Sequence, residues 1–484
     1  MYGVSLRRTA DASRCNAGMF MLQNWFFFIV TFGCKVNQYE SQSLREAWLA
    51  LHGQETDDPA TADVILLNTC AVTANAVADA RQAVRHLHKK APSAAILVTG
   101  CASEVARDEL ATLPGVIRVV GQADKPRLLD GSTLLAWLHQ TKPAPSEEGF
   151  GAEPAPTTVP DPATFPPFHI QGFQRARPVL KVQDGCSHRC AYCIVPLTRG
   201  PARSRAPQDC LAEARRLLNA GYREIMLSGI NLRQYAMRDQ GCADFWELVR
   251  LLDRELAPEW DGVARLRISS VDPAQLDARG LDCLAQTRLI CPHLHLSLQS
   301  GSPAVLQAMH RSHYTPEHLI ESVRVVAGYW PRLGLGADIL MGFPGETDVH
   351  VRETLDVVQA LPLTYAHIFP FSIRPGTLAA RLPLQVEKSE RQRRAAEVRT
   401  LVDAKQSAFW QQTLAQGETL LVALDSNDEV PCSHTPQAKG QHGVAACYTP
   451  CRLQTPLHAQ GHALIPVRPV RLGTTGLLVE PVPV

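Results

Sequence analysis

The sequence predicts an α/β protein in three parts: an N-terminal doubly wound parallel sheet, a central partial (β/α)6 barrel and a small C-terminal all-β barrel. Three observations carry this. Short β-prone runs alternate with helical patterns from about 24 to 130 and again from 178 to 372. A segment rich in Pro, Ala, Glu and Thr, 141–167, interrupts the alternation. After Gly417 the helical periodicity stops and only short β-prone pieces remain.

Residues 25–32, 62–69, 94–99 and 116–120 read as strands, and 38–51, 73–90 and 102–113 as helices. Strand-helix alternation of this kind calls for crossover connections and parallel strands. The proline-rich segment cannot hold a regular element and reads as a linker over 141–171. Six further strands are expected at 178–183, 223–228, 265–270, 293–298, 335–341 and 365–371, too few for a full eightfold barrel. A charged helix over 387–413 follows, and "TLLVAL", "HALIPVRPV" and "GLLVEPV" read as strands of the last part. The expected domains are therefore 23–140, 172–405 and 406–484, behind an extension at 1–22. That extension has no clear pattern, and translation is expected to begin near Met19 or Met21.

A chain of 484 residues accommodates roughly three domains. Lys plus Arg, 48, nearly equals Asp plus Glu, 47, so no global field attracts nucleic acid, and a polyanion would need a local basic patch. The apolar run Trp25–Val30 is far shorter than the ~20 residues that span a bilayer, so no membrane helix is expected. Arg7, Arg8, that run and Cys34 only faintly imitate an export signal, because Asn24 breaks the apolar stretch. Fourteen cysteines in a long chain without an export signal point to metal binding or catalysis in a reducing, cytosolic compartment.

"DGCSHRCAYCIVPLTRG" spaces Cys186, Cys190 and Cys193 as CxxxCxxC directly after a strand. Three thiolates at this spacing suit a 4Fe-4S cube with one iron left open. Zinc is the alternative, with His188 as a fourth ligand. Cys34, Cys70 and Cys101 each fall just past the carboxyl end of an expected parallel strand. Such ends converge on one edge of a doubly wound sheet, so these residues should meet in space. Cys15, Cys210, Cys242, Cys283 and Cys291 read as small buried apolar residues, and Cys432, Cys447 and Cys451 as incidental.

The CxxxCxxC motif with Tyr192 before its last cysteine resembles the radical S-adenosylmethionine superfamily. With "TFGCKVNQYES" and "NTCAVT", the chain from about 24 to 484 is similar to its methylthiotransferase family, closest to the branch acting on N6-threonylcarbamoyladenosine in tRNA. The resemblance implies a cluster-binding N-terminal domain, a barrel of radical S-adenosylmethionine type and a TRAM-like C-terminal barrel that grips tRNA. It implies two 4Fe-4S clusters, on Cys34, Cys70 and Cys101 and on Cys186, Cys190 and Cys193. One S-adenosylmethionine would methylate the sulfur and a second would give the 5'-deoxyadenosyl radical that activates carbon 2 of the adenine at position 37. Tyr192, Asn231, Gln299, Ser300, Gly342 and Glu346 would contact S-adenosylmethionine, although ordinary turn chemistry explains such residues equally well. Arg199, Arg203, Arg205 and Arg374 are candidates for RNA phosphate. An external electron donor such as flavodoxin or ferredoxin is implied, and a sulfur donor of unknown identity. Ser297 stands where relatives often have proline, and Asp272 where they often have glutamate. The alternatives are the same reaction on N6-isopentenyladenosine or on a ribosomal protein aspartate, and a non-catalytic zinc-containing RNA-binding protein.

Overall fold

The computed structural model describes residues 25–139, 164–425, 441–455, 457 and 463–482. The expectations for the extension at 1–22, for most of the linker, and for Cys15 and Cys432 lie outside these residues. The chain divides into two compact units, with the boundary between His169 and Ile170.

The first unit is a five-stranded parallel sheet of β1 (Trp25–Thr31), β2 (Gly53–Glu55), β3 (Val64–Thr69), β4 (Ala95–Gly100) and β5 (Val116–Val119), in the order β2-β1-β3-β4-β5. Every residue of β3 is buried, as a central strand covered on both faces requires. Against it the helix Ala74–Lys90 sets Val77, Val84 and Leu87 on Ile65, Leu67, Ile96 and Val98. Each such fully buried aliphatic side chain contributes about 1.5–3 kcal/mol. Thr73 caps this helix by accepting from the Ala76 amide.

The second unit opens with β6 (Val179–Lys181) and a two-residue antiparallel ladder of β7 (Gln183–Asp184) with β8 (Arg203–Ser204). Then come β9 (Glu224–Ser228), β10 (Arg265–Ile268), β11 (His293–Gln299), β12 (Gly334–Met341) and β13 (Tyr365–Pro370). Two parallel sheets, β6-β9-β10 and β11-β12-β13, are stitched together by parallel bridges from Leu266 to Ile290 and from Val271 to Leu296. The result is the expected six-stranded partial barrel; among the described residues no pairing joins β13 back to β6. A helix over Lys388–Gln416, ended by Gly417 in the left-handed conformation, leads to the last five strands. These are β14 (Leu420–Leu424), β15 (His442–Ala445), β16 (Pro450–Leu453), β17 (Leu464–Leu472) and β18 (Leu477–Pro481), closed as β14-β15-β16-β18-β17. No helix of the described residues is long and apolar enough to cross a membrane.

The closed barrel is bolted beneath the open one. Arg265 donates to the carbonyls of Leu421 (2.9 Å) and Val444 (3.1 Å), and Arg267 to those of Ala446 (2.9 Å) and Ala445 (3.0 Å). Both guanidiniums share the buried carboxylate of Glu224. Tyr448, at the tip of the β15–β16 turn, stacks on His293 at 4.5 Å between ring centroids. Burial alone would raise the Glu224 carboxyl, but Arg267 and Arg265 overcome it and hold the group at about 2 rather than near 4.5. A depressed carboxyl stabilises the fold above its unfolded value and loses that contribution as pH falls through its folded value. Acid unfolding between pH 4.5 and 2 should therefore cost about 3 kcal/mol from this group, and Glu224→Gln should flatten that part of the stability-pH curve.

Candidate functional site

Cys34, Cys70 and Cys101 lie at the carboxyl ends of β1, β3 and β4, three neighbouring strands, as expected. Burial pushes the Cys70 thiol up to about 11, and the nearby Cys34 and Cys101 thiols push in the same direction. Cys34 is exposed and precedes the helix Lys35–Ala50; Cys70 and Cys101 are buried. Gly33 has φ +89°, and a Cβ there would fall 2.6 Å from Cys70 Cβ and 2.8 Å from its Sγ, so only glycine lets the Cys34 loop pass over Cys70. The Cys101 amide donates to Thr69 O at 2.9 Å, and Gln122 Nε2 lies 3.6 Å from Cys101 Sγ.

A buried polar network that sequence reasoning did not find sets this geometry. Asn37 Nδ2 donates to the carbonyls of Phe32 (2.8 Å) and Thr69 (2.9 Å), clamping together the two loops that carry Cys34 and Cys70. Asn68 Nδ2 returns to Asn37 O (2.9 Å) and Ser41 Oγ (3.0 Å), and Lys125 Nζ bridges Asn68 Oδ1 (2.9 Å) to Glu40 Oε2 (2.5 Å). The signal was present: Asn37, Glu40 and Ser41 form a polar stripe at helical spacing on the side of the helix that is buried. Removing one member of a buried ion pair leaves the other charged and unpaired. Lys125→Met should lower stability by about 3–5 kcal/mol in denaturant titration.

The second trio occupies the loop after β7. Cys186 N donates to Gly200 O (3.0 Å) and Cys193 N to Cys190 O (3.0 Å). Burial pushes the Cys193 thiol up to about 12, with Cys190 and Cys186 adding to it. Asp184 anchors the loop: its carboxylate takes Lys181 (2.8 Å), Arg199 (2.9 Å) and the Gly185 amide (2.8 Å). Arg311, also absent from the sequence reading, reaches to 3.9 Å from Cys190 Sγ while donating to Asp272 (2.9 Å) and Ser297 O (2.8 Å). The departures at 272 and 297 are thus both accommodated around one guanidinium. His313 also faces Asp272, and despite burial these hydrogen bonds and charges hold the Asp272 carboxyl at about 2.

The other expected residues fare unevenly. Asn231 Nδ2 is 3.4 Å from Cys186 Sγ. Tyr192 packs on the apolar cluster of Ala191, Val305, Met309, Phe343 and Phe371. Gln299 ends β11 at φ +64° beside a register shift. Ser300 Oγ accepts from the Ser302 amide (3.1 Å), and Glu346 accepts from the Gly342 amide (2.7 Å) and from Arg394 (3.1 Å), so these side chains stabilise turns. The arginine loop needs correction. Arg199 is buried on Asp184, Arg205 is buried in a two-pronged pair with Glu213 (2.9 and 3.1 Å), and Arg374 is buried, so none offers a free charge to phosphate; Arg203 also leans on Asp184 at 3.5 Å. Desolvated guanidiniums require partners, and local sequence does not reveal them. Cys210, Cys242, Cys283 and Cys291 are buried, and Cys447 and Cys451 belong to the core of the closed barrel.

A single zinc ion holds sulfurs about 2.3 Å from itself, so its ligand atoms stand within about 4.6 Å of one another. Among the described residues only His295, Asp338 and His367 bring three ligand atoms within 4.8 Å; neither cysteine trio does. Within each trio the thiols are near enough for one to feel the charge of the other two.

A partial barrel with a three-cysteine loop at its strand ends defines the radical S-adenosylmethionine class, and the profile of the Radical SAM superfamily matches residues 180–358. That of the Uncharacterized protein family UPF0004 matches 26–121. The threonylcarbamoyladenosine tRNA methylthiotransferase MtaB of Bacillus subtilis is 33% identical over 77% of this chain and 79% of its own length. Its namesake in Chlamydia pneumoniae is 33% identical over 85% and 89%. A tRNA-2-methylthio-N(6)-dimethylallyladenosine synthase of Magnetococcus marinus is 32% identical over 82% and 87%. The solved radical S-adenosylmethionine methyltransferase TsrM of Kitasatospora setae shares the fold, with TM-score 0.52 and 18% identity over 72% of this chain and 77% of that one. The chain belongs to the radical S-adenosylmethionine tRNA methylthiotransferase family and is a group-transferring enzyme.

Proposed function

We propose that the enzyme methylthiolates carbon 2 of N6-threonylcarbamoyladenosine at position 37 of tRNA. Cys186, Cys190 and Cys193 would hold one 4Fe-4S cluster, and Cys34, Cys70 and Cys101 a second. The observation that carries the reading is the pair of separate thiol trios, one just past the ends of three neighbouring parallel strands and the other in the single loop after β7. With S-adenosylmethionine, a cluster bearing one open iron supplies one-electron cleavage and the hydrogen abstraction that no side-chain base achieves.

The chain's own residues prepare that chemistry. Arg311 sets a positive charge beside Cys190, and Asn231 lies within hydrogen-bond reach of Cys186. The turn carrying Tyr448 packs its ring on His293 and Tyr365 at the barrel. Threonylcarbamoyladenosine and dimethylallyladenosine enzymes match the chain about equally, so the choice of the first rests on the "CKVNQYES" string. Arg468 and Arg471, exposed on the closed barrel, are the cations there for RNA phosphate, and electrons would come from a flavodoxin or ferredoxin. Nucleoside mass spectrometry of tRNA from a deletion strain tests the substrate: 2-methylthio-threonylcarbamoyladenosine should vanish, and its persistence would refute the reading. About eight irons with matching sulfide per chain should accompany it.

A further inference from the structure

The inner face of the open barrel carries a polar wall that the cluster chemistry does not use. His295 on β11, Asp338 on β12 and His367 on β13 converge, with donor and acceptor atoms within 4.8 Å of one another. His295 Nε2 lies 3.1 Å from Asp338 Oδ1, and Asp338 and His367 are register neighbours. The other nitrogen of His295, Nδ1, is 3.0 Å from the Tyr365 hydroxyl, which lies 2.9 Å from His293 Nε2. Gly336 makes room for this relay: a Cβ there would fall 2.1 Å from Tyr365 Cζ and 2.6 Å from His295 Nδ1. The wall is therefore braced across three strands, while Asp338 is half-buried and His367 exposed. Phe369, exposed on the same face one step nearer the strand ends, offers a ring on which a base can stack.

We infer that His295, Asp338 and His367 form the subsite for the N6 substituent of the target adenosine, and that the substituent is a polar, acid-bearing carbamoyl amino acid. This rests on the reaction proposed above. A threonylcarbamoyl group presents amide N–H and hydroxyl donors, which suit the Asp338 carboxylate, and carbonyl and carboxylate acceptors, which suit an N–H of the His367 imidazole, while His295 holds Asp338 in place. A dimethylallyl group presents hydrocarbon alone. Pressing it against this wall would strip water from Asp338 and His367 and return no hydrogen bond. Sites built to hydrogen-bond a substrate reject the analogue lacking those groups by as much as ~10⁴-fold.

The test is the ratio of kcat/KM on two tRNAs, one carrying threonylcarbamoyladenosine and one dimethylallyladenosine, for reconstituted full-length wild type, His367→Phe and Asp338→Asn. The wild type should favour the first tRNA strongly, and His367→Phe should lower the ratio roughly 100-fold, Asp338→Asn roughly 10-fold. General damage lowers both rates and leaves the ratio unchanged. An unchanged ratio in both variants, with wild type still preferring threonylcarbamoyladenosine, overturns the subsite and spares the proposed reaction. Wild-type activity on dimethylallyladenosine alone overturns both. Retention of one Zn²⁺ or Mn²⁺ per chain beyond cluster iron, lost in His367→Phe and with it the selectivity, overturns the subsite in favour of a metal site.

Discussion

Cys190→Ala should abolish cleavage of S-adenosylmethionine, with 5'-deoxyadenosine falling below detection and iron dropping from about eight to about four per chain. A cube held by three thiolates has no spare protein ligand, so losing one corner leaves two and an unshielded iron edge. The structure adds a reason for choosing this cysteine. It faces Arg311, which is itself pinned between Asp272 and Ser297, so the substitution removes a thiolate opposite a fixed positive charge. Cys283→Ala is the matched control. That cysteine is buried on the helix Ala278–Gln286, with its thiol toward the Trp246 carbonyl, and its loss should leave iron content and cleavage intact. Iron and sulfide analysis with chromatography of 5'-deoxyadenosine decides the matter, and a Cys190→Ala enzyme that still cleaves S-adenosylmethionine would displace the cluster from this loop.

Cys70→Ala should separate the two halves of the reaction. The first trio lies in the other compact unit and has its own hydrogen-bond frame, so S-adenosylmethionine cleavage should remain measurable while methylthio product is lost. Cys70 is the informative member because its thiol feels both Cys34 and Cys101, and the Gly33 turn is fitted against its side chain. The expected signature is 5'-deoxyadenosine without 2-methylthio nucleoside, at about four irons per chain. Full methylthiolation by this variant would remove the sulfur-delivering role from the first unit.

The expected strands at 25–32, 62–69, 94–99 and 116–120 fall on β1, β3, β4 and β5, and the six expected strands of the barrel fall on β6 and β9 to β13. These were legible because runs such as "VILLNT" are buried on both faces, and a parallel strand must advertise that in composition. β2 escaped notice: "GQE" is three residues long, lies at a sheet edge and owes its pairing to β1 alone. The two cysteine trios were legible as well, one through local spacing and the other through its repeated place after a strand.

Other features were not legible, because they depend on which distant side chains share a desolvated space. Arg199 and Arg205 look like phosphate ligands in "TRGPARSR", yet Asp184 and Glu213 claim them inside the protein. Nothing in "CKVNQYES" states that its asparagine will reach the carbonyl of Thr69, or that Glu40 will meet a lysine 85 positions away. The histidines of β11 and β13 read as ordinary strand residues until Asp338 is seen between them. Sequence alone determined the periodic elements, their parallel order and the thiols at their ends, since burial on regular strands and helices leaves a repeating trace in composition. Tertiary structure alone decided which charges are spent internally, how the thiol loops are clamped and what lines the barrel, since a buried polar group is satisfied by whatever the fold brings beside it.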